Sequence, residues 1–109
     1  MSSKPETVFR KKAQEDIDSL PNTYRFTVQQ IAKKGDPDNL LCVLGHFVGI
    51  EYKKSERDKP TRLQIHKLNK IRDAGGSTFV ACPENWSEIF EELKRLADHH
   101  VYQSAMEEE

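Results

Sequence analysis

The chain contains no apolar run near the roughly 20 residues that a membrane-spanning helix needs, which argues against a transmembrane protein. The opening stretch, Met1 to Lys12, lacks the apolar segment of a secretion signal, so a cytoplasmic location is the expectation. Cysteine is scarce. Cys42 and Cys82 are too few for a disulfide scaffold and are expected to be reduced, buried thiols. They show no C-x-x-C spacing, and His46, His66, His99 and His100 show no H-x-x-x-H spacing, which speaks against a zinc site. Internal repeats are absent as well. At 109 residues there is room for one modest core, and none for a cofactor-binding domain beside a substrate domain.

Neither sign of charge dominates, since 17 Lys and Arg face 18 Asp and Glu for a net charge of -1. That balance hides an asymmetry. Residues 1–35 and 36–83 carry net charges of +3 and +2, and residues 84–109 carry -6. The body of the chain is therefore basic, which permits nucleic acid as a partner.

The apolar residues are periodic. Phe9, Ala13, Ile17 and Leu20 predict a helix from about Lys4 to Leu20, stopped by Pro21-Asn22. Tyr24 to Ile31 reads as a strand, rich in aromatic and β-branched positions. After the polar loop Lys33 to Pro37, Leu40 to Leu44 and Phe47 to Lys53 form a hairpin about a Gly45-His46 turn. Both hairpin faces are mostly apolar, which places it mid-sheet with helices on each side. The charged loop Ser55 to Pro60 leads to a helix from Thr61 to Ala74, whose inward stripe is Leu68 and Ile71 and which closes on Gly75-Gly76. Thr78 to Ala81 is a further strand, parallel to a hairpin strand because a helix separates them. The last helix carries Trp86, Ile89, Phe90, Leu93, Leu96 and Ala97, with Trp86 read as core. The order α-β-β-β-α-β-α describes an α/β sandwich about a mixed sheet, one domain over residues 1–98 with an acidic, flexible tail from 99 to 109.

Polar residues on the hairpin are the anomaly. A Gly45-His46 turn sets Asp38 across from Lys53 and Leu40 across from Glu51, so Asp38, Glu51 and Lys53 share one face. Two carboxylates at that separation can share a hard divalent cation, which activates water for phosphodiester hydrolysis, and a lysine alongside can stabilise the transition state. A cross-strand salt bridge with a solvated Glu is the plain alternative.

Pro37-Asp38, then Glu51-Tyr52-Lys53, resembles the PD-(D/E)XK nuclease motif. Gly35-Asp36-Pro37-Asp38, Glu51-Tyr52-Lys53 and Thr61-Arg62-Leu63-Gln64 together resemble its VRR-NUC branch, over roughly residues 4–97. The resemblance implies a restriction-endonuclease-like core and an Mg²⁺- or Mn²⁺-dependent DNA endonuclease. Within it Asp38, Glu51 and the Tyr52 carbonyl are metal ligands, and Lys53 is the catalytic lysine. It also maps an acidic helix residue onto Glu6, although Ser3-Lys4-Pro5-Glu6 is equally a capping box. Gln64 is an active-site residue by the same likeness, and Thr61-x-x-Gln64 is a capping box too. Lys33, Lys34, Lys54, Arg57, Lys59 and Arg62 flank the site and suit phosphate contacts, with solvated lysines and arginines as the alternative. Small stand-alone members resemble phage or bacterial Holliday junction resolvases. A homodimer acting on branched DNA in recombination and repair is therefore the expectation, with the outer face of the first helix around Val8 as the preferred interface and the strand Tyr24 to Ile31 and the last helix as the other candidates. A monomeric flap or nicking nuclease and a non-catalytic nucleic-acid-binding module are the rivals.

Overall fold

A computed structural model describes residues 5–29 and 35–98. Lys33, Lys34, His99, His100, the acidic tail and residues 1–4 of the N-terminal capping box lie outside the described residues. The elements run α1 (Pro5–Asp18), β1 (Thr23–Thr27), β2 (Asn39–Val43), β3 (His46–Tyr52), α2 (Arg62–Asp73), β4 (Ser77–Ala81) and α3 (Trp86–Ala97). The element order matches the sequence reading, with boundaries shifted by a few residues at most in the described segments. Among the described residues, no helix is long and apolar enough to cross a membrane.

The sheet order is β1-β2-β3-β4, antiparallel except for the parallel β3–β4 pair. Parallel pairing follows from α2, which carries the chain back to the end of the sheet where β3 began. Alternate hairpin residues Leu41, Val43, Val48, Ile50 and Tyr52 are almost wholly buried on one face of the sheet. Phe9, Ala13 and Ile17 of α1 and Trp86, Ile89, Leu93 and Ala97 of α3 close that face. Phe9 meets the rings of Tyr52 and Trp86 edge-on, and the Trp86 indole N–H donates to Asp16 at 2.9 Å, so Trp86 is core. Burying a side chain of this size contributes roughly 1.5–3 kcal/mol each. The Arg25 fork on Asp18, with two bonds of 2.8 Å, ties β1 to the end of α1.

α2 covers the opposite face, and only over β3 and β4. Gly49 permits this approach, because a Cβ there would lie 2.8 Å from Ile71 and 3.2 Å from Pro37. Among the described residues, no helix covers the β1–β2 half of this face. Tyr24 is 70% and Phe26 47% exposed, and Cys42, expected to be buried, is exposed beside them. Cys82 is buried as expected.

The hairpin turn differs from the sequence reading. Val43 pairs with His46, so the turn is Leu44-Gly45 and not Gly45-His46. Leu44 and Gly45 have φ of 49° and 83°, the two left-handed positions of a type I′ turn, whose twist matches the strands. Moving the turn by one residue moves the pairing by two, so every side chain keeps its face.

Candidate metal-binding active site

Asp38 enters the site from the turn that precedes β2. Gly35, at φ 87°, and Pro37 steer the chain over α2, where Pro37 lies against Gly49. The Asp38 carbonyl then accepts from Val28 N–H at 3.0 Å, and its side-chain Oδ2 accepts from Tyr52 N–H at 2.8 Å. Beneath it is a buried polar network. The Tyr52 hydroxyl donates to Asn39 Oδ1 at 2.8 Å, and Asn39 Nδ2 donates to the Asp38 carbonyl at 2.9 Å. Asn39 and Tyr52 are both fully buried, so this network fixes the Asp38 backbone where water cannot compete.

Glu51 lies on β3 one residue beyond the last β2–β3 pair, Asn39 with Ile50, and the register continued by one residue brings it opposite Asp38. Its side chain is 5% exposed. Gln64 Nε2 donates to Glu51 Oε2 at 2.8 Å, and Lys53 Nζ lies 3.7 Å from the same oxygen. Glu51 Oε1 is buried and has no hydrogen-bond partner among the described residues. Burial, and next the negative charge of Asp38, push the Glu51 carboxyl up to about 7, against a smaller downward pull from Lys53. Lys53 is anchored at its backbone by donating to the Ala81 carbonyl at 2.8 Å, which locks the end of β3 to β4.

Gln64 makes the capping box and also reaches Glu51. Its Oε1 accepts from Thr61 N–H at 2.8 Å while Gln64 N–H donates to Thr61 Oγ1 at 3.1 Å, the reciprocal capping box. The remaining amide N–H₂ reaches Glu51. One side chain therefore starts α2 and binds the buried carboxylate.

Four of the sequence-derived residues thus converge: Asp38, Glu51, Lys53 and Gln64. Glu6 has its Oε1 3.4 Å from the Arg10 guanidinium. Lys54, Arg57, Lys59 and Arg62 are exposed along the segment from β3 to the start of α2, flanking Lys53 and Gln64. Arg10 went unnoticed in the sequence as a site residue. Its NH2 lies 4.0 Å from Asp38 Oδ2, and its guanidinium carbon is 5.9 Å from the Tyr52 ring centroid. Spacing of four from Glu6 on the inner side of α1 was the available signal, though helix-surface arginines commonly have such a partner.

Among the described residues, no three His, Cys, Asp or Glu side chains form a group able to hold an ion. The donors that converge are the Asp38 and Glu51 carboxylates, to which the sequence resemblance adds the Tyr52 backbone carbonyl. These are hard oxygens, suited to Mg²⁺ or Mn²⁺ that keep several waters. The orphaned Glu51 Oε1 is the feature a cation would satisfy, and a buried carboxylate oxygen without a partner is otherwise costly. The residues present fit the ion.

No protein-family model and no curated protein sequence matches the chain. Solved structures do. A VRR_NUC domain superposes with a TM-score of 0.67 at 24% identity, covering 89% of this chain and 98% of its own. A VRR_NUC domain protein superposes with a TM-score of 0.71 at 16% identity, covering 90% of this chain and 94% of its own. The fold of this chain is that of these VRR_NUC domains, three helices about a four-stranded mixed sheet.

Proposed function

We propose that this protein is a divalent-metal-dependent endonuclease that hydrolyses phosphodiester bonds in branched DNA, most simply as a Holliday junction resolvase. The observation that carries the reading is a carboxylate pair, Glu51 buried with one orphaned oxygen and Asp38 half-buried, flanked by a lysine, on a VRR_NUC fold. Asp38, Glu51 and the Tyr52 carbonyl bind the ion. When bound, Mg²⁺ or Mn²⁺ supplies a more acidic water and positive charge for a phosphate. Lys53 orients the attacking water or neutralises charge that develops on the phosphate, from a fixed position against Glu51. Gln64 holds Glu51 in place by its amide, and its own rotamer is set by the capping box. Lys54, Arg57, Lys59 and Arg62 contact backbone phosphates on the exposed flank.

A four-way junction needs two cuts related by symmetry, and a two-fold homodimer supplies two sites so related. The apolar stripe of α3 is buried in the core, and the outer side of α1 offers Val8, 56% exposed. The open β1–β2 face, with Tyr24 and Phe26, offers more apolar surface and is where we place the dimer contact, in preference to α1. The rival readings are a monomeric flap nuclease and a non-catalytic nucleic-acid-binding module.

One experiment separates all three. Purified protein is incubated with labelled duplex, flap, splayed-arm and four-way DNA in Mn²⁺, Mg²⁺, Ca²⁺ or EDTA, with its mass measured by light scattering. The expected result is paired cleavage of the four-way substrate in Mn²⁺ or Mg²⁺, little turnover in Ca²⁺, none in EDTA, and a dimeric mass. A monomer that nicks flaps would sink the resolvase and leave the nuclease. Binding without cleavage in any metal would favour the module, and cleavage in EDTA would refute metal-dependent chemistry altogether.

A further inference from the structure

We propose that Arg10 is a positioning residue that competes with the metal ion for Asp38, and that Glu6 serves as the second seat of this arginine and not as a ligand of the ion. The inference rests on the metal-site reading above.

Three observations meet at Arg10. Its NH2 lies between two carboxylates, 3.4 Å from Glu6 Oε1 and 4.0 Å from Asp38 Oδ2. Its guanidinium is held near the Tyr52 ring, 5.9 Å from the centroid, and its buried Nε has no hydrogen-bond partner among the described residues. The carboxylate pair therefore has a cation at each end, Lys53 against Glu51 and Arg10 near Asp38. Arginine does not deprotonate in proteins, so this charge is permanent.

A fixed positive charge within about 4 Å of Asp38 does two opposing things. It compensates the crowded carboxylates when no ion is bound, and it repels a divalent ion arriving at the same oxygen. Glu6 resolves the conflict. It sits one helical turn before Arg10 and already touches the guanidinium, so Arg10 can leave Asp38 without losing an anionic partner. Because a direct ligand would need its oxygens toward the ion, the placement of Glu6 against Arg10 fits the second seat better. The acidic residue on α1 then influences metal affinity through the arginine alone.

The test measures Mn²⁺ affinity by calorimetry on the whole protein, without DNA or turnover. Arg10→Met keeps the apolar stem and removes the charge, Arg10→Lys keeps the charge, and Arg10→Gln is the substitute if the methionine variant does not fold. Arg10→Met should bind Mn²⁺ tighter, on the order of tenfold, the scale for a unit charge acting on a divalent ion through solvent at this distance. Arg10→Lys should return the affinity toward wild type. Glu6→Gln alone should weaken binding several-fold, because Arg10 then stays on Asp38. In the Arg10→Met background Glu6→Gln should have no effect, a non-additivity that a direct ligand would not show. Unchanged or weaker binding in Arg10→Met overturns the competition and leaves the metal site standing. Equal weakening by Glu6→Gln in both backgrounds makes Glu6 a ligand and overturns the second seat. Absence of Mn²⁺ binding in wild type and Arg10→Met alike overturns the metal site itself, and this inference with it.

Discussion

Lys53→Ala is expected to lower cleavage by about a thousandfold at saturating Mn²⁺ while the domain stays folded, the size of loss typical for removing one fixed charge-stabilising donor. The side chain is 12% exposed at the end of β3, and its backbone bond to Ala81 survives the substitution. The variant has a second effect that must be separated from the first. Lys53 is one of the groups that pull the Glu51 carboxyl down, so its loss leaves Glu51 holding its proton to higher pH and weakens metal binding. Lys53→Arg divides the two, since it preserves the charge while misplacing the donor. It should recover Mn²⁺ affinity by calorimetry and remain severely impaired in single-turnover cleavage. Asp38→Asn is the companion. Asparagine can still accept from Tyr52 N–H, so the turn is kept while the anion is lost, and cleavage should vanish, whereas DNA binding in Ca²⁺ should survive Lys53→Ala largely intact. Rates within a few-fold of wild type in both Lys53→Ala and Asp38→Asn would mean that the chemistry lies elsewhere.

The site was legible in sequence because strand parity is forgiving. Placing the hairpin turn one residue late shifted the pairing by two, so Asp38, Glu51 and Lys53 kept a common face although their opposite partners changed. Thr61-x-x-Gln64 was legible as a helix start because reciprocal capping is purely local; its reach to Glu51 is a tertiary fact. Asn39 was missed for the same reason. A strand-initial asparagine reads as a loop residue, and only the arrival of the Tyr52 hydroxyl from the neighbouring strand turns it into a buried support. The exposed Cys42 and Phe26 depended on how far α2 spreads across the sheet, which its apolar stripe does not encode. Leu68 and Ile71 set the direction of α2, whereas Gly49 sets where it lands. Arg10 shows the same limit, because its partner Asp38 is 28 residues away and joined to it only by the fold.

Glu51→Gln should raise stability above pH 7 while abolishing metal-dependent cleavage. In the metal-free protein the Glu51 carboxyl is pushed up to about 7 against an ordinary value of 4.5, first by burial and next by the negative charge of Asp38. The folded protein thus binds this proton more tightly than the unfolded chain does. The resulting stability is fully present below pH 4.5 and is lost as pH rises through about 7, by at most about 3 kcal/mol. Glutamine removes the ionisable group. Its amide oxygen can accept from Gln64 Nε2, and its N–H₂ can donate to Asp38 in place of the proton. Chemical denaturation of the variant should therefore lack the decline that wild type shows between pH 5 and 8, and the two curves should meet near pH 4.5. Saturating Mn²⁺ should stabilise wild type at pH 8, since an ion that binds only the ionised folded form shifts the equilibrium by mass action, and should leave Glu51→Gln almost unmoved. A wild-type stability that is flat between pH 5 and 8 in EDTA, or a variant less stable than wild type at pH 8, would show that Glu51 is ionised and well compensated without an ion. The orphaned Oε1 would then lose its meaning as a site prepared for a cation, because a compensated carboxylate has nothing to gain from one.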